Sequence, residues 1–105
     1  MRTRALGRAL RKERRHRRLS KRNLAQCLLE RGFAVQMNER QLTTAIGRVE
    51  CGKILPFDHG LLLSFIELAA SCLADDNTLL ETVIIDRLAL AAAKDIADDH
   101  GFNLG

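Results

Sequence analysis

The residues of this sequence that are best placed for chemistry are polar side chains on one predicted helix. The stretch QLTTAIGRVECGKILP, residues 41–56, reads as an amphipathic helix that ends at Gly52 and is followed by the only proline of the chain. Its exposed side carries threonines, a glycine and an arginine, which form a thin and polar surface. We interpret this surface as a contact face, because small side chains permit close approach and polar ones can hydrogen-bond.

Catalytic and metal-binding chemistry has little support in the sequence. It contains no nucleophile elbow, no phosphate-cradling glycine loop and no paired histidines. Cys27, Cys51 and Cys72 are odd in number, widely spaced and set among aliphatic residues. They are interpreted as reduced core or near-core thiols of a cytosolic protein rather than as zinc ligands. We therefore expect no enzymatic activity, no metal and no cofactor.

Charge is distributed unevenly along the 105 residues, whose net charge is +4. Residues 1–22 hold eleven Arg/Lys and one acid (+10), residues 23–56 hold four and three (+1), and residues 57–105 hold two and nine (−7). This gradient predicts a basic end that faces a polyanion and an acidic end that faces away from it. The alternative is a disordered basic tail or a merely solvated helix.

The elements that must position the polar surface are predicted to be helices. Leu and Ala are abundant, Trp and Tyr are absent, and no run approaches the ~20 apolar residues that span a bilayer. Apolar residues recur at helical spacing in five segments, so we expect an all-α chain with little or no sheet. Four segments follow suitable N-cap residues: Ser20, Asn38, Asp58 and Thr78. Gln41 and Glu81 complete two capping-box patterns.

The last predicted helix is unusually apolar for a surface element of so small a protein. One of its stripes consists of Leu80, Ile84, Leu88 and Ala91, and a neighbouring stripe contains Leu79, Val83 and Leu90. A band this wide can serve the core on one side and a partner chain on the other. We assign the first stripe to a homodimer interface, and burial of the whole band in the core is the alternative.

Three ordered blocks of the sequence resemble a known family. They read LGRALRKER, LSKRNLA and IGRVECGKILP, and together they run from Leu6 to Pro56. The last block is similar to the closing motif Ile-x-Arg-Ile-Glu-x-Gly-Lys-x-x-Pro of the phage lambda repressor and Cro type of helix-turn-helix protein, also called the xenobiotic-response-element family. The residues that match this motif are Ile46, Arg48, Val49, Glu50, Gly52, Lys53 and Pro56.

The resemblance implies a fold and an organisation. The fold is an all-α, about five-helix lambda-repressor-like helix-turn-helix domain with a C-terminal dimerisation helix. Residues 1–74 would form the DNA-binding part, and residues 75–105 would add a helix for core packing and dimerisation within one compact domain. The sequence departs from the family at Glu13, where an aliphatic residue is usual, and at the connection between the second and third helices. That connection spans about residues 30–38, whereas a compact helix-turn-helix uses a turn of about 3–4 residues.

Carried over by position, the resemblance implies that the third helix enters the major groove of double-stranded DNA. The residues expected nearest the base edges are Arg40, Gln41, Thr43, Thr44, Gly47 and Arg48. The residues expected to contact phosphates are Arg11, Arg14, Arg18, Lys21, Arg22 and Lys53. Glu50 would pair with Arg11 or Arg14 of the first helix and hold the third helix in place. Arg2 and Arg4 would form an arm along the DNA backbone or minor groove.

The leading hypothesis is a homodimeric, sequence-specific DNA-binding transcriptional regulator that represses from a palindromic operator. The resemblance places it in a phage, plasmid or similar mobile element of a bacterium, in the cytoplasm and on the nucleoid when bound to DNA. A second hypothesis is an antitoxin-like autoregulatory protein whose C-terminal half sequesters a small protein partner. A third is a non-specific nucleic-acid or RNA binder that uses the basic N-terminus alone.

Overall fold

The fold consists of five α-helices and one short 3-10 turn. The computed structural model describes residues 1–101, so the last four residues of the predicted C-terminal segment, 102–105, lie outside the described residues. The helices are α1 (Arg4–His16), α2 (Lys21–Glu30), α3 (Glu39–Glu50), α4 (Leu62–Ala74) and α5 (Thr78–Asp99), and the 3-10 turn is His59–Leu61. Residues 1–101 contain no strand beyond one isolated bridge between Arg2 and Ile54. The prediction of a five-helix, all-α chain is confirmed.

Side-chain caps fix where α2 and α3 begin. The Ser20 hydroxyl accepts a hydrogen bond of 3.0 Å from the backbone N–H of Asn23. Asn38 accepts from the N–H of Gln41 at 2.8 Å, and the Gln41 side chain accepts from the N–H of Asn38 at 3.0 Å. Each bond satisfies a backbone donor that has no partner inside its helix. Both predicted caps are therefore confirmed, and the second one sets the register of α3.

The later caps differ from the sequence prediction in detail. Asp58 caps the 3-10 turn rather than α4 itself, through a bond of 2.9 Å from the N–H of Gly60. Asn77, not Thr78, caps α5 by accepting from the N–H of Leu80 at 3.1 Å. The capping box predicted for Thr78 and Glu81 is thus wrong, because Thr78 is already the first helical residue and only Asn77 has the extended backbone of a cap.

The crossing of α1 and α3 is unusually close. A Cβ added to Gly7 would lie 1.9 Å from the carbonyl oxygen of Val49, so only glycine fits at this point of α1. Gly52 ends α3 with a φ of +71°, as predicted, and returns the chain past Arg4. The Thr3 hydroxyl donates towards the carbonyls of Val49 and Lys53, both at 2.9 Å. These contacts join the start of α1 to the end of α3.

A carboxylate from the far end of the chain caps α1. Asp95 of α5 accepts hydrogen bonds of 2.8 Å from the backbone N–H groups of both Ala5 and Leu6. Thr3, the residue in the N-cap position, makes no capping bond with its own side chain. Asp95 thereby supplies the negative charge that the N-terminus of a helix favours, and it docks α5 onto α1.

The apolar stripe of α5 that was assigned to a dimer interface belongs to the core. Ile84 and Leu88 are 0% exposed, because α5 packs along both α1 and α4. Leu80 is half-buried against the same core, and Ala91 is buried beside it. The predicted assignment of this stripe to dimerisation is therefore wrong. The exposed apolar residues of α5 lie elsewhere on the helix and are Leu79, Val83, Leu90 and Ile96.

The cysteines also differ from the prediction. Cys27 near the end of α2 and Cys72 near the end of α4 form a disulfide, with their Cα atoms 6.0 Å apart. The bridge is possible because α2 and α4 pack side by side, which brings together residues that are 45 positions apart in the sequence. Cys51 is a free thiol and lies exposed at the end of α3 rather than in the core. The expectation that all three cysteines are reduced core or near-core thiols is therefore wrong for the bonded pair, which is oxidised, and for Cys51, which is exposed.

Two classes of feature are absent from residues 1–101. No helix in this range combines the length and the apolar character needed to cross a membrane. No group of three or more His, Cys, Asp or Glu side chains is placed there to hold a metal ion.

Candidate nucleic-acid interface

The two sides of α3 have opposite character. Its inner side is apolar, is packed against α1 and α2, and consists of Leu42, Ala45, Ile46 and Val49. Its outer side carries the six residues predicted to contact bases. Of these, Arg40, Gln41, Thr44 and Arg48 are exposed, and Thr43 and Gly47 are partly covered. The helical spacing of the sequence produces this separation directly, and the predicted amphipathic helix is present.

The two threonines of α3 are held by their own helix. The Thr43 hydroxyl donates to the carbonyl of Glu39 at 2.8 Å, and the Thr44 hydroxyl donates to the carbonyl of Arg40 at 3.2 Å. Each hydroxyl therefore uses its hydrogen within the helix and keeps oxygen lone pairs available as acceptors. The acceptor oxygen and the methyl group of each threonine therefore have fixed positions. Contact with a partner then costs little side-chain entropy, because no long side chain has to be ordered.

The N-terminal end of α2 lies beside this outer side. The Lys21 ammonium nitrogen is 3.7 Å from the point where a Cβ on Gly47 would lie, which places the lysine in contact with the outer side of α3. The Arg22 Nε atom donates to Glu39 at 2.8 Å, although the Arg22 side chain is 74% exposed. An open cleft runs between the two helix ends and is lined by Arg22, Asn38, Glu39, Arg40, Thr43 and Thr44.

A buried ion pair supports α3 from behind. Arg14 of α1 donates two hydrogen bonds of 2.7 Å to the two carboxylate oxygens of Glu50, and a third of 3.0 Å to the carbonyl of Leu19. The hydrogen bond to Glu50 raises the pKa of Arg14 above its ordinary value, in spite of the opposing effect of burial. Of the two partners considered for Glu50, Arg14 is the one observed. A bidentate pair fixes an orientation as well as a distance.

The residues predicted to contact phosphates separate into three groups. Arg11, Arg18, Lys21 and Lys53 are exposed. Arg22 is exposed but shares its charge with Glu39. Arg14 is buried and bonded to Glu50, so its prediction as a phosphate contact is wrong. Helical spacing is the signal that could have identified Arg14, because it follows Leu6 and Leu10 at intervals of four residues on the buried side of α1.

Glu13, where the sequence departs from the family that it resembles, also faces inward. Its carboxylate accepts from Arg17 on the same helix and, at 2.8 Å, from Arg87 of α5. Burial alone would raise the pKa of Glu13, but the hydrogen bonds from Arg87 and Arg17 outweigh it and lower that pKa below its ordinary value. The second half of α1 is thus docked by charged pairs where an aliphatic contact is usual in the family.

The N-terminal residues do not form a free arm. The N–H of Thr3 donates to the carbonyl of Lys53 at 2.9 Å, and the N–H of Leu55 donates to the carbonyl of Met1 at 2.9 Å. The expectation of an arm that carries Arg2 and Arg4 is therefore wrong. Instead, Arg4 begins a row of exposed arginines on α1 that also contains Arg8, Arg11 and Arg15. Their spacing of four, three and four residues was the signal that could have identified this row.

The connection between α2 and α3 is as long as the sequence predicts. Residues 31–38 separate the two helices, so this is not a compact turn of about 3–4 residues. The connection is nevertheless packed, because Phe33 is buried and its ring lies 5.6 Å from that of Phe57 and 5.8 Å from that of Phe65. Gly32 enters it with a φ of +85°. The two helices still pack directly against each other.

Comparison with known proteins adds no family to this description. No protein-family model, curated protein or solved structure matches the chain. The function therefore has to be argued from the surface of α3, the residues beside it and the contacts that hold it.

Proposed function

We propose that this protein is a sequence-specific DNA-binding transcriptional regulator, a repressor that binds a palindromic operator as a homodimer. The observation that carries the proposal is the outer side of α3, where Arg40, Gln41, Thr44 and Arg48 are exposed around the small residue Gly47. The resemblance of the sequence to the lambda repressor and Cro type of helix-turn-helix protein supports the same function.

The chemistry of these side chains suits the major groove. An arginine can donate two hydrogen bonds to guanine, and a glutamine can bond adenine through both an acceptor and a donor. A threonine can accept from an amino group or place its methyl against that of thymine. Lys21 at the start of α2 and Lys53 after α3 are exposed on either side of this surface and would contact phosphates.

The position of α3 matters as much as its side chains. The Arg14–Glu50 pair and the close contact at Gly7 hold the helix at one angle on α1. A helix held in this way meets base edges without further ordering, which favours discrimination between sequences. A single helix buries too little for tight specific binding, so two half-sites about 34–36 Å apart are expected. Repression requires only that the bound protein occupies its operator.

Selection of binding sites from random duplexes tests this proposal. The protein should enrich an inverted repeat, and competition with a scrambled duplex of the same length should then show a preference of about 10³-fold or more. The spacing of the two half-sites should correspond to one turn of the duplex or a multiple of it. Equal affinity for all unrelated duplexes, measured at one fixed salt concentration, would refute sequence-specific regulation.

An antitoxin-like protein is the second candidate function. The exposed apolar side chains of α5 favour it, since Leu79 is 82% and Leu90 61% exposed on a helix whose other side is already buried. A protein partner that covers these residues would leave the surface of α3 free for autoregulation. Sedimentation of the purified chain at high concentration separates the two candidates: a stable homodimer is expected for the repressor, whereas a persistent monomer favours the antitoxin.

A further inference from the structure

The exposed side of α1 carries a continuous row of arginines. Arg4, Arg8, Arg11 and Arg15 follow one another at intervals of four, three and four residues, which places them on one side of the helix. All four are exposed. At 1.5 Å per residue the row extends over about 17 Å. We refer to these four residues as the arginine row.

The arginine row has no neutralising partner within residues 1–101. None of its four side chains forms an ion pair or a side-chain hydrogen bond with another residue of that range. The one acid of α1, Glu13, is turned to the buried side and bonded to Arg17 and Arg87. Like charges at these spacings destabilise a helix. Arg4 shares a surface depression with Asp95, Asp98 and Asp99, whereas Arg8, Arg11 and Arg15 keep a concentrated positive charge that is available to an external anion.

The arginine row is continuous with the end of α3. Arg4 and Arg8 line one shallow depression together with Cys51 and Gly52, the residues at which α3 ends. The Cα of Arg4 lies 3.3 Å from the point that a Cβ on Gly52 would occupy. Lys53, the next residue, is also exposed. A polyanion that lies against the outer side of α3 and leaves at its C-terminal end would thus reach the row.

We propose that α1 lies along the phosphate backbone of the same duplex that α3 contacts, so that the arginine row extends the DNA footprint beyond the base-reading helix. The proposal rests on the proposed function. The row is about 17 Å long, which is enough to face several consecutive phosphates of one DNA strand. Arginine suits this contact because its guanidinium donates two parallel hydrogen bonds to phosphate oxygens.

The composition of the surface favours a duplex over a single strand or a membrane. Proteins that bind single strands stack the bases on exposed aromatic side chains. Among residues 1–101, Phe33 and Phe65 are buried and Phe57 is half-buried against them, and the sequence has no Trp or Tyr. A helix that lies on a membrane needs large apolar residues beside its basic ones. The exposed side of α1 within Arg4–His16 carries none.

The salt dependence of duplex binding tests the proposal. The triple variant Arg8→Gln, Arg11→Gln, Arg15→Gln should lower the slope of log K against log salt by about 2.7 per protomer, at about 0.9 per phosphate contact. Between 50 and 200 mM salt the wild type should therefore lose about 40-fold more affinity than the variant. Arg31→Gln is the control, because it removes an exposed charge at the end of α2, where the guanidinium bonds Ser71 of α4. Its slope should equal that of the wild type.

Three further readouts make the result decisive. Circular dichroism should show unchanged helix content, since all three substitutions are exposed and glutamine is a good helix former. A slope equal to that of the wild type in the folded variant would overturn the proposal, and so would a loss seen only with single-stranded oligonucleotides or anionic vesicles. The preference for operator over scrambled duplex should stay the same in the triple variant. If the wild type has no such preference but the slope still falls, the regulator is refuted and the phosphate contact of α1 is supported.

Discussion

The contact of α1 with α3 and the contact of α2 with α4 hold the candidate DNA-binding surface in different ways. At the first, Gly7 brings two backbones together and Arg14 grips Glu50 through two hydrogen bonds. At the second, Cys27 and Cys72 are joined by a covalent bond near the ends of their helices. The first contact is directional and lies directly behind α3, whereas the second is covalent and joins α2 to α4.

This difference separates orientation from stability. Bidentate hydrogen bonds between charged groups fix the angle between two helices, so the first contact determines how the outer side of α3 is presented. A disulfide acts mainly by restricting the unfolded chain. The loop closed by Cys27 and Cys72 contains all of α3, so we expect the bridge to stabilise the fold without setting the angle of that helix. Each contact can therefore be broken with a different expected outcome.

The largest effect is expected from breaking the buried ion pair. Glu50→Ala leaves the Arg14 guanidinium buried without its partner, which should lower the free energy of unfolding by about 3–5 kcal/mol. Urea denaturation measures this loss, and Glu30→Ala, which removes an exposed carboxylate of α2, is the control. The substitution should also weaken specific DNA binding below the unfolding midpoint, because α3 loses its fixed angle. A loss of stability as small as that of the control would contradict this role of the pair.

The second largest effect is expected from breaking the disulfide. The double substitution Cys27→Ala, Cys72→Ala opens a loop of 45 residues, for which chain entropy gives about 4 kcal/mol and measured bridges give about 2–4 kcal/mol. Reduction of the wild type should reproduce this loss, while Cys51→Ala, which removes the exposed free thiol, should not. Well below the midpoint the variant should bind its operator as the wild type does. Altered sequence preference would show that the bridge also orients α3.

A smaller effect, confined to binding, is expected on the outer side of α3. Arg48→Ala should cost about 1–3 kcal/mol of discrimination between operator bases and leave stability nearly unchanged, since the side chain is exposed. Lys53→Ala is the matched comparison, because a phosphate contact should weaken all duplexes alike and lower the salt slope by about 0.9. Competition binding with single-base operator variants separates the two. If Arg48→Ala weakens binding to all operator variants equally, Arg48 does not contact a base.

The sequence predicted the parts of this molecule that depend on local chemistry. Ser20 and Asn38 were identifiable as caps because the motif spans three or four residues, and the helical spacing of Leu42, Ala45, Ile46 and Val49 distinguished the inner from the outer side of α3. The five-helix composition follows from the same patterns. What they establish is an all-helical chain with a polar face on its third helix.

The features that were missed depend on which helices pack together. Helical spacing separates Arg14 from the exposed Arg11, but nothing in the local sequence shows that Asp95 meets the first turn of α1 from 90 residues away. The disulfide was missed for the same reason, since Cys27 and Cys72 meet only because α2 lies beside α4. The first apolar stripe of α5 was assigned to a partner chain although it faces the core, because a second chain and the chain's own core select the same residue types.

The smallest effect is expected at Glu13, which extends the directional contacts of α1 towards α5. Its pKa is lowered on folding, so its contribution is fully present above its ordinary value of 4.5 and is lost as the pH falls through the lower folded value. Because Arg87 is more than half exposed, we expect this contribution to be only about 1 kcal/mol. Stability measured from pH 7 to pH 3 should therefore fall more steeply for the wild type than for Glu13→Gln. Parallel curves for the two proteins would show that Arg17 and Arg87 contribute nothing through this carboxylate, and that α5 is docked on α1 by Asp95 and apolar packing alone.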